Sequence, residues 1–149
     1  MGAQDRAVTS STLGAWLVKA RPDVLPVAEM VRSGFETLTS RCVRPTYRAE
    51  LIREGQPVLL WISGRHPRHP AGVYAAGHTT GPAQQDEGEL FMPLRLRPVV
   101  PVVAREQVLA HPGLADLEVV RMPAGSNPSY LDAEQYRTLR AAFPQVTPR

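Results

Sequence analysis

The apolar residues of this chain fall into short runs separated by turns of glycine, proline and polar residues. The clearest pattern covers residues 58–81, where the apolar runs 58–62 and 72–78 flank a turn of Gly, Pro, His and Arg. This pattern predicts two neighbouring strands of a small barrel. An earlier apolar run at 15–18 predicts a first buried strand, which the sequence Arg21-Pro22-Asp23 ends.

Two further strands are predicted in the second half of the chain. Residues 90–103 alternate around Leu94, Arg95, Leu96 and Arg97, which indicates a strand with one wet face. The prolines within it predict that this strand lies at a sheet edge or breaks in two. Residues 117–121 predict a last strand.

Helices are predicted at 26–31, 46–53, 105–110 and 131–143, and the segment 35–44 is ambiguous. In the second helix, Tyr47, Leu51 and Ile52 share one side, and Gly55 is expected to end it. Asp132 favours the start of the last helix, whose buried stripe is formed by Tyr136, Leu139, Ala142 and Phe143.

The polar segments between these elements predict the domain organisation. Residues 80–89 form the most polar loop, either a mobile flap over a site or a solvated connection. Residues 1–12 are expected to be a flexible leader, and 13–145 a single domain. The order of elements predicts a mixed α+β barrel.

Composition agrees with one small barrel. A chain of 149 residues can bury a single core, and its 15 prolines and 11 glycines favour short elements over a helical bundle. No apolar run reaches the length of a membrane span. The lone cysteine, Cys42, excludes an internal disulfide and fits a reducing compartment, so the expected location is the cytoplasm.

The basic residues are unusual because all but Lys19 are arginines. The net charge of +3 is compatible with a phosphate-bearing partner, and the arginine fork suits phosphate geometry. The charge is nevertheless far below that of a strong nonspecific duplex binder. It therefore raises a nucleic-acid hypothesis without establishing it.

Common catalytic and cofactor motifs are missing from the sequence. His66 and His69 are three apart, but prolines forbid a helix there and no third metal ligand is evident. Ser63 lies near His66 without a nucleophile-elbow motif, and no glycine-rich phosphate loop occurs. We therefore expect no metal and no cofactor. Phosphate is the natural partner for Arg65 and Arg68 at the hairpin tip.

Recognition of a single unstacked base matches the residues better. Such a site needs an aromatic or apolar wall and a few fixed donors and acceptors. Trp16, Trp61, Tyr47 and Tyr130 are candidate walls, although aliphatic neighbours favour a core position for both tryptophans. The candidate polar contacts are Lys19, Arg44, Ser63, Ser126 and Asn127.

Four motifs then resemble, in the same order, those of the EVE family of PUA-like domains, which are related to YTH domains. The motifs are WLVKARPD, CVRPTYRAELIREGQPVLLWISG, GVYAAG and GSNPSYLDAEQY, and the resemblance runs from Trp16 to Phe143. It implies a pseudo-barrel of about five or six strands with peripheral helices. It also implies a pocket between the first strand, the following helical segment and the hairpin, where family members read modified nucleobases in DNA or RNA.

The chain departs from the family pattern at two places. Ala20 follows Lys19 where the family often has Lys-Ser, so a hydroxyl is missing. Residues 40–44 read Ser-Arg-Cys-Val-Arg where the family often has Trp-Asp-Gly-Val-Arg. Either Trp61, Tyr47 or Phe91 supplies the aromatic ring that stacks on the base, or the ligand differs from that of other family members.

Together these observations predict a protein that binds a modified base of DNA or RNA without catalysis. A modified cytosine is the favoured ligand, and a separately encoded nuclease or other effector is a further expected partner. A hydrolase of modified nucleosides using Lys19, and a protein-interaction module, are the alternatives. No membrane association is expected. The predicted base pocket comprises Val18, Lys19, Ser40, Arg41, Val43, Arg44, Trp61, Ser63, Ser126 and Asn127, and the predicted phosphate contacts are Arg65, Arg68, Arg95 and Arg97.

Overall fold

A mixed sheet with short helices on its outside forms the fold in the computed structural model, which describes residues 7–22, 26–64 and 66–147. Its strands are β1 Leu13–Ala20, β2 Ser40–Val43, β3 Pro57–Ile62, β4 Gly72–Thr79, β5 Gln84–Asp86, β6 Glu89–Ala104 and β7 Ser129–Asp132. Its helices are α1 Val27–Ser33, α2 Tyr47–Glu50, α3 Arg105–Ala110, α4 Glu118–Arg121 and α5 Ala133–Ala142, followed by a 3-10 turn at Pro144–Val146.

The strands follow the order β2-β6-β4-β3-β1-β7, with β5 paired to β6 beside this path. Only the β1–β3 pair is parallel among the described strand pairs, and the others are antiparallel. The sheet curls into a half-barrel, so the two ends of the order approach each other. The predicted barrel-like α+β fold is therefore confirmed.

Both faces of the central strands are buried. Trp16 and Val18 of β1 face one apolar cluster inside the curl, whereas Ala15 and Leu17 face a second cluster beneath the helices. Burial on both faces explains why these strands read as continuous apolar runs. Trp61 joins the second cluster, so both tryptophans belong to the core.

Several predicted elements are confirmed with small shifts of their ends. The runs 58–62 and 72–78 form the antiparallel pair β3–β4, and 105–110 is helix α3. The segment 26–31 lies largely in α1, and the buried positions of α5 include Tyr136 and Leu139 as predicted. The alternation in β6 also holds, because Leu94 and Leu96 are buried whereas Arg95 and Arg97 are exposed.

The predicted strand at 117–121 is wrong, since Glu118–Arg121 form helix α4. Its β-branched valines favour a strand, but Leu114 and Leu117 are buried with helical spacing. The amides of Val120 and Arg121 bond back to the carbonyl oxygen of Leu117. The free edge of β1 is instead covered by β7, whose last two residues, 131 and 132, were predicted as the start of the last helix.

Three loop predictions also need correction. Residues 80–89 are not a simple loop, because Gln84–Asp86 form β5 and pair with the start of β6. Residue Val8 is buried in the inner cluster, so the flexible leader does not extend over residues 7–12. The helix at 46–53 ends at Glu50, and Tyr47 is exposed rather than buried.

The predicted break of β6 is wrong, because Glu89–Ala104 form one strand, but the predicted edge position holds for its second half, where Pro98 and Pro101 lie and β4 is the paired strand among the described ones. One 16-residue strand lies between β2 and β5 near its start, and it pairs with β4 from Leu94 onward. A register shift between Val73 and Ala75 of β4 accommodates the proline-rich middle of β6. None of the described helices has the length and hydropathy needed to cross a bilayer.

Asp132 ends β7 and caps α5, so its side chain is expected to matter for stability. Its Oδ1 accepts the Gln135 N–H at 2.8 Å, and the Gln135 side chain accepts the Asp132 N–H at 2.9 Å. We expect Asp132→Ala to lower the free energy of unfolding by about 1 kcal/mol, measured by urea denaturation. Arg137→Ala, on the exposed side of the same helix, is the control, and an equal loss in both variants would contradict the capping role.

Candidate ligand-binding site at the barrel seam

Asn127 joins the two ends of the curled sheet. Its Oδ1 accepts the backbone N–H of Lys19 at 2.8 Å, and its Nδ2 donates to the Lys19 carbonyl oxygen at 3.0 Å. Its own carbonyl oxygen accepts the N–H of Arg44 at 2.9 Å. We call the region where residues 19–20, 41–44 and 125–129 meet the seam, because these contacts hold β1 and the end of β2 together.

An ion pair supports the loop that carries Asn127. The Arg48 guanidinium donates two hydrogen bonds to the Glu118 carboxylate, each at 2.8 Å, and a third to the Pro128 carbonyl oxygen at 2.8 Å. It also lies 4.9 Å from the ring centroid of Tyr130. This bidentate geometry connects α2, α4 and the residues before β7 through one side chain.

The ion pair sets the charge state of Glu118. Burial acts to raise the pKa of Glu118, but the Arg48 hydrogen bonds and charge, with the Ser129 hydroxyl and the Arg121 charge, hold that pKa below its ordinary value. Hydrogen bonding to Glu118 in turn raises the pKa of Arg48 against the opposing effect of burial. Both groups are therefore charged at neutral pH.

A cavity of about 350 Å³ lies beside the ion pair. The half-exposed Tyr47 belongs to its lining, as do Thr46 and Ser126, which carry hydroxyl groups. Gly125 keeps one side close-packed, because a Cβ there would lie 3.1 Å from the Met122 carbonyl oxygen. The lining residues are Thr46, Tyr47, Arg48, Glu118, Met122, Gly125, Ser126, Asn127, Pro128 and Ser129.

The Lys19 side chain lies directly behind this wall. Its residue is 8% exposed, and its Nζ donates to the Met122 carbonyl oxygen at 3.3 Å. Desolvation lowers the pKa of Lys19, with the Arg48 charge acting in the same direction and the Glu118 charge opposing both. The amine is thus held in place by the backbone of the loop.

Arg41 reaches the seam from β2 and shares an acceptor with Asn127. Its Nη2 donates to the Lys19 carbonyl oxygen at 3.0 Å. Among the described residues, its Nε is a buried side-chain nitrogen that has no hydrogen-bond partner. Burial lowers the pKa of Arg41. An unsatisfied buried donor of this kind is unfavourable and would gain from an added acceptor.

The structure distributes the predicted base-pocket residues over several environments. Ser126 and Asn127 line the cavity, whereas Lys19, Arg41 and Arg44 lie in the seam around it. Val18 and Val43 are core residues, and Ser40 is exposed on β2. Trp61 and Ser63 line a different cavity of about 660 Å³, next to the base of the β3–β4 hairpin and α3.

Ser63 contacts the seam only through the backbone of β1. Its N–H and its Oγ both donate to the Ala20 carbonyl oxygen, at 2.9 and 3.3 Å. The polar backbone groups of the Lys19–Ala20 segment are thus largely satisfied by Asn127, Arg41 and Ser63. These backbone groups are therefore largely engaged within the protein.

The predicted phosphate contacts do not form one surface with the cavity. Arg68 is exposed at the tip of the hairpin, and Arg95 and Arg97 line another cavity along β6. Arg65 lies outside the described residues. The ring centroids of His66 and His69 lie 4.7 Å apart. The described residues contain no cluster of three or more His, Cys, Asp or Glu side chains that could hold a metal ion.

Sequence reasoning missed the Arg48–Glu118 pair. The two residues are separated by 70 positions, and Glu118 was assigned to a strand. The helical spacing of Leu114 and Leu117 is the local signal that would have predicted a helix at 117–121. Nothing in either segment alone indicates the partner of Arg48.

The barrel-like fold defines this protein as a small α+β domain, and comparison with solved structures supports that fold. No protein-family profile and no curated protein matches the chain. Solved structures with similar folds include a Rhodopseudomonas palustris protein, with a TM-score of 0.67 and 18% identity over 91% of this chain and 96% of that one. An Agrobacterium tumefaciens protein is similar with a TM-score of 0.65 and 16% identity over 90% of this chain and 95% of that one. A hypothetical protein from Leishmania major is similar over 93% of this chain and 100% of that one, with a TM-score of 0.64 and 15% identity. At these identities the likeness concerns the fold.

The lowered pKa of Glu118 predicts a pH-dependent contribution to stability. A carboxylate with a depressed folded pKa stabilises the fold at pH values above its ordinary 4.5, and this contribution is lost as the pH falls through the folded value. We therefore expect Glu118→Gln to lower the free energy of unfolding at neutral pH. The difference from the unaltered protein should shrink on acidification, measured by urea denaturation over a pH series.

Glu50→Gln is the matched control, because Glu50 is an exposed acid on α2. Its effect on stability should be small at every pH. A Glu118→Gln deficit that stays constant from neutral to acid pH would show that charge pairing with Arg48 does not contribute to stability.

Proposed function

We propose that this protein is an EVE-family, PUA-like domain that binds a modified nucleobase of DNA or RNA in the seam cavity. The observation that carries the proposal is the cavity itself. Its volume of about 350 Å³ lies in the range of small-molecule sites, and one aromatic ring and several polar groups converge on it. These are the features that a pocket for one unstacked base requires.

The distribution of polar groups supports recognition of a base edge. The hydroxyls of Thr46 and Ser126 can each donate or accept, and Tyr47 offers a half-exposed ring for stacking. Both ends of the Asn127 amide bond to the backbone of Lys19, so its role is to hold the site in shape.

Arg41 supports the seam beside the cavity. Its guanidinium lies next to the Asn127 amide because both donate to the carbonyl oxygen of Lys19. Arg41 does not belong to the cavity lining and its Nε is buried, so a ligand in the cavity is contacted by the lining residues instead. A modified cytosine is the ligand we favour.

The charge arrangement favours binding without catalysis. A hydrolase that uses the Lys19 amine would need a carboxylate free to move a proton. Glu118 is the carboxylate of the cavity lining, and both of its oxygens are engaged by Arg48. We therefore favour a non-catalytic protein that binds a modified base over a nucleoside hydrolase. The proposal includes a separate effector, such as a nuclease, that acts on the bound nucleic acid.

Binding to short oligonucleotides tests the proposal. Single- and double-stranded oligonucleotides with unmodified, methylated, hydroxymethylated or acylated bases are compared at two salt concentrations by fluorescence anisotropy. We expect one modification to be preferred at least tenfold, which corresponds to about 1.4 kcal/mol. Affinity should also fall with added salt, because phosphate contacts release counterions.

Two substitutions separate the pocket from the phosphate contacts. Ser126→Trp fills the cavity at an exposed position and should abolish the preference among bases, whereas Thr147→Trp, at an exposed position outside the lining, should leave it unchanged. Arg68→Ala removes an exposed predicted phosphate contact at the hairpin tip and should weaken binding of every oligonucleotide. Base preference that survives Ser126→Trp would place the pocket elsewhere, and no binding to any oligonucleotide would overturn the proposal.

A further inference from the structure

A cavity of about 580 Å³ adjoins the seam cavity, because the two share Thr46 and Tyr47 as lining residues. We call it the adjoining cavity. Residues in and around α2 line one part of it, and residues next to β5 and at the start of β6 line another. A ligand larger than one base can therefore contact both cavities at once through the residues that they share.

Tyr47 is the aromatic residue common to both cavities, and its side chain is anchored. Its Oη accepts the backbone N–H of Val8 at 3.0 Å. Val8 is 2% exposed and belongs to the inner apolar cluster, so this donor is held by the core. Tyr47 itself is 44% exposed. An aromatic side chain that is fixed before binding loses little conformational freedom when a base stacks on it.

The lining of the adjoining cavity is mainly apolar. Its buried members lie next to half-buried and exposed ones, so apolar surface is open to a ligand. A base presents a flat π-face to such a surface whatever its identity. The lining therefore suits the face of a nucleobase without selecting among bases. The apolar lining residues are Pro45, Ala49, Ile52, Pro82, Ala83 and Leu90.

The charged residues among the described lining are Glu50 and Arg53, whose formal charges cancel. Nη1 of Arg53 donates to the carbonyl oxygens of Glu50 at 2.7 Å and Ile52 at 3.1 Å, which holds the guanidinium against the end of α2. A guanidinium plane is itself a surface on which bases stack. A lining without net charge suits an uncharged base better than a phosphate group.

We propose that the adjoining cavity binds the nucleobase next to the modified one in the same strand. The inference rests on the proposed binding of the modified base in the seam cavity, and it makes Tyr47 a residue that both bases contact. Stacking of unpaired bases on aromatic side chains tolerates every base. The neighbouring base therefore adds affinity, while the choice of modification stays with the seam cavity.

A two-base site assigns single-stranded nucleic acid as the class of ligand. A base of a duplex reaches a cavity only by leaving its stack and breaking its pair. Filling both cavities from a duplex thus breaks two base pairs instead of one. We expect a single strand to bind at least tenfold more tightly than the duplex of the same sequence, and equal binding of the duplex would overturn the inference.

Oligonucleotides that lack one base test the adjoining cavity. The probes are short single-stranded DNAs whose central cytosine is unmodified, methylated, hydroxymethylated or acylated, with intact neighbours or with an abasic site directly before or after it. In fluorescence anisotropy, we expect one of the two abasic positions to weaken binding at least tenfold, which corresponds to about 1.4 kcal/mol and lies within the contribution of one stacked base.

The same titrations separate the two proposals. Preference for a modified cytosine that persists while both abasic probes bind as tightly as the intact one would overturn this inference alone. Equal binding of all central cytosines would overturn the proposed function and this inference with it.

A matched pair of substitutions locates the neighbouring base. Glu50 is exposed and lines the adjoining cavity but not the seam cavity, so Glu50→Trp places a bulky ring there and should abolish the loss caused by the abasic site. Glu54→Trp makes the same change of charge and size at an exposed position outside both linings and should keep that loss. An abasic loss that survives Glu50→Trp would overturn the inference.

NMR spectra of the full chain supply a direct readout. The methyl signals of Ala83 and Leu90, which are half-buried in the lining, should shift with the intact probe and stay in place with the abasic one. Equal shifts with both probes would show that the neighbouring base does not enter the adjoining cavity.

Discussion

The structure depends on one residue, Asn127, at the place where the two ends of the sheet order meet without pairing. The sheet order ends at β2 and β7, and no ladder joins these strands among the described residues. Asn127 instead holds the backbone of Lys19 with both ends of its amide and accepts the Arg44 N–H on its carbonyl oxygen. A curled sheet with two buried faces can thereby keep its seam closed while leaving a cavity beside it.

The Arg48–Glu118 pair and the Asn127 contacts act on the same loop from two sides. The ion pair fixes α4 and the Pro128 carbonyl oxygen, while Asn127 fixes β1 and the end of β2. Because these groups satisfy each other, the rest of the cavity lining includes the hydroxyl-bearing Thr46 and Ser126 and the aromatic Tyr47. This lining supports the proposed binding of a polar planar ligand.

Local pattern predicted β1, β3 and β4, because these strands are buried on both faces and read as apolar runs, and it predicted β6 from its alternation. It did not predict β2 or β5, and it placed part of β7 in a helix. It also failed where distant partners decide the structure: the LEVVR segment forms helix α4, since β7 covers the edge of β1 and Glu118 meets Arg48. The GSNP motif predicted Ser126 and Asn127 as pocket residues, and both line the seam cavity. No local signal shows that Asn127 serves the backbone of Lys19 or that Arg41 shares its acceptor.

Hydrogen exchange of individual amides tests the role of Asn127 most directly. The N–H groups of Lys19 and Arg44 donate to its side chain and backbone respectively. In Asn127→Ala, we expect faster exchange at both amides, with Leu59 and Leu60 of β3 still protected, because losing the side-chain contacts opens the seam. Continued protection of Arg44 in that variant would show that the seam closes without the Asn127 side chain and would contradict this role of Asn127.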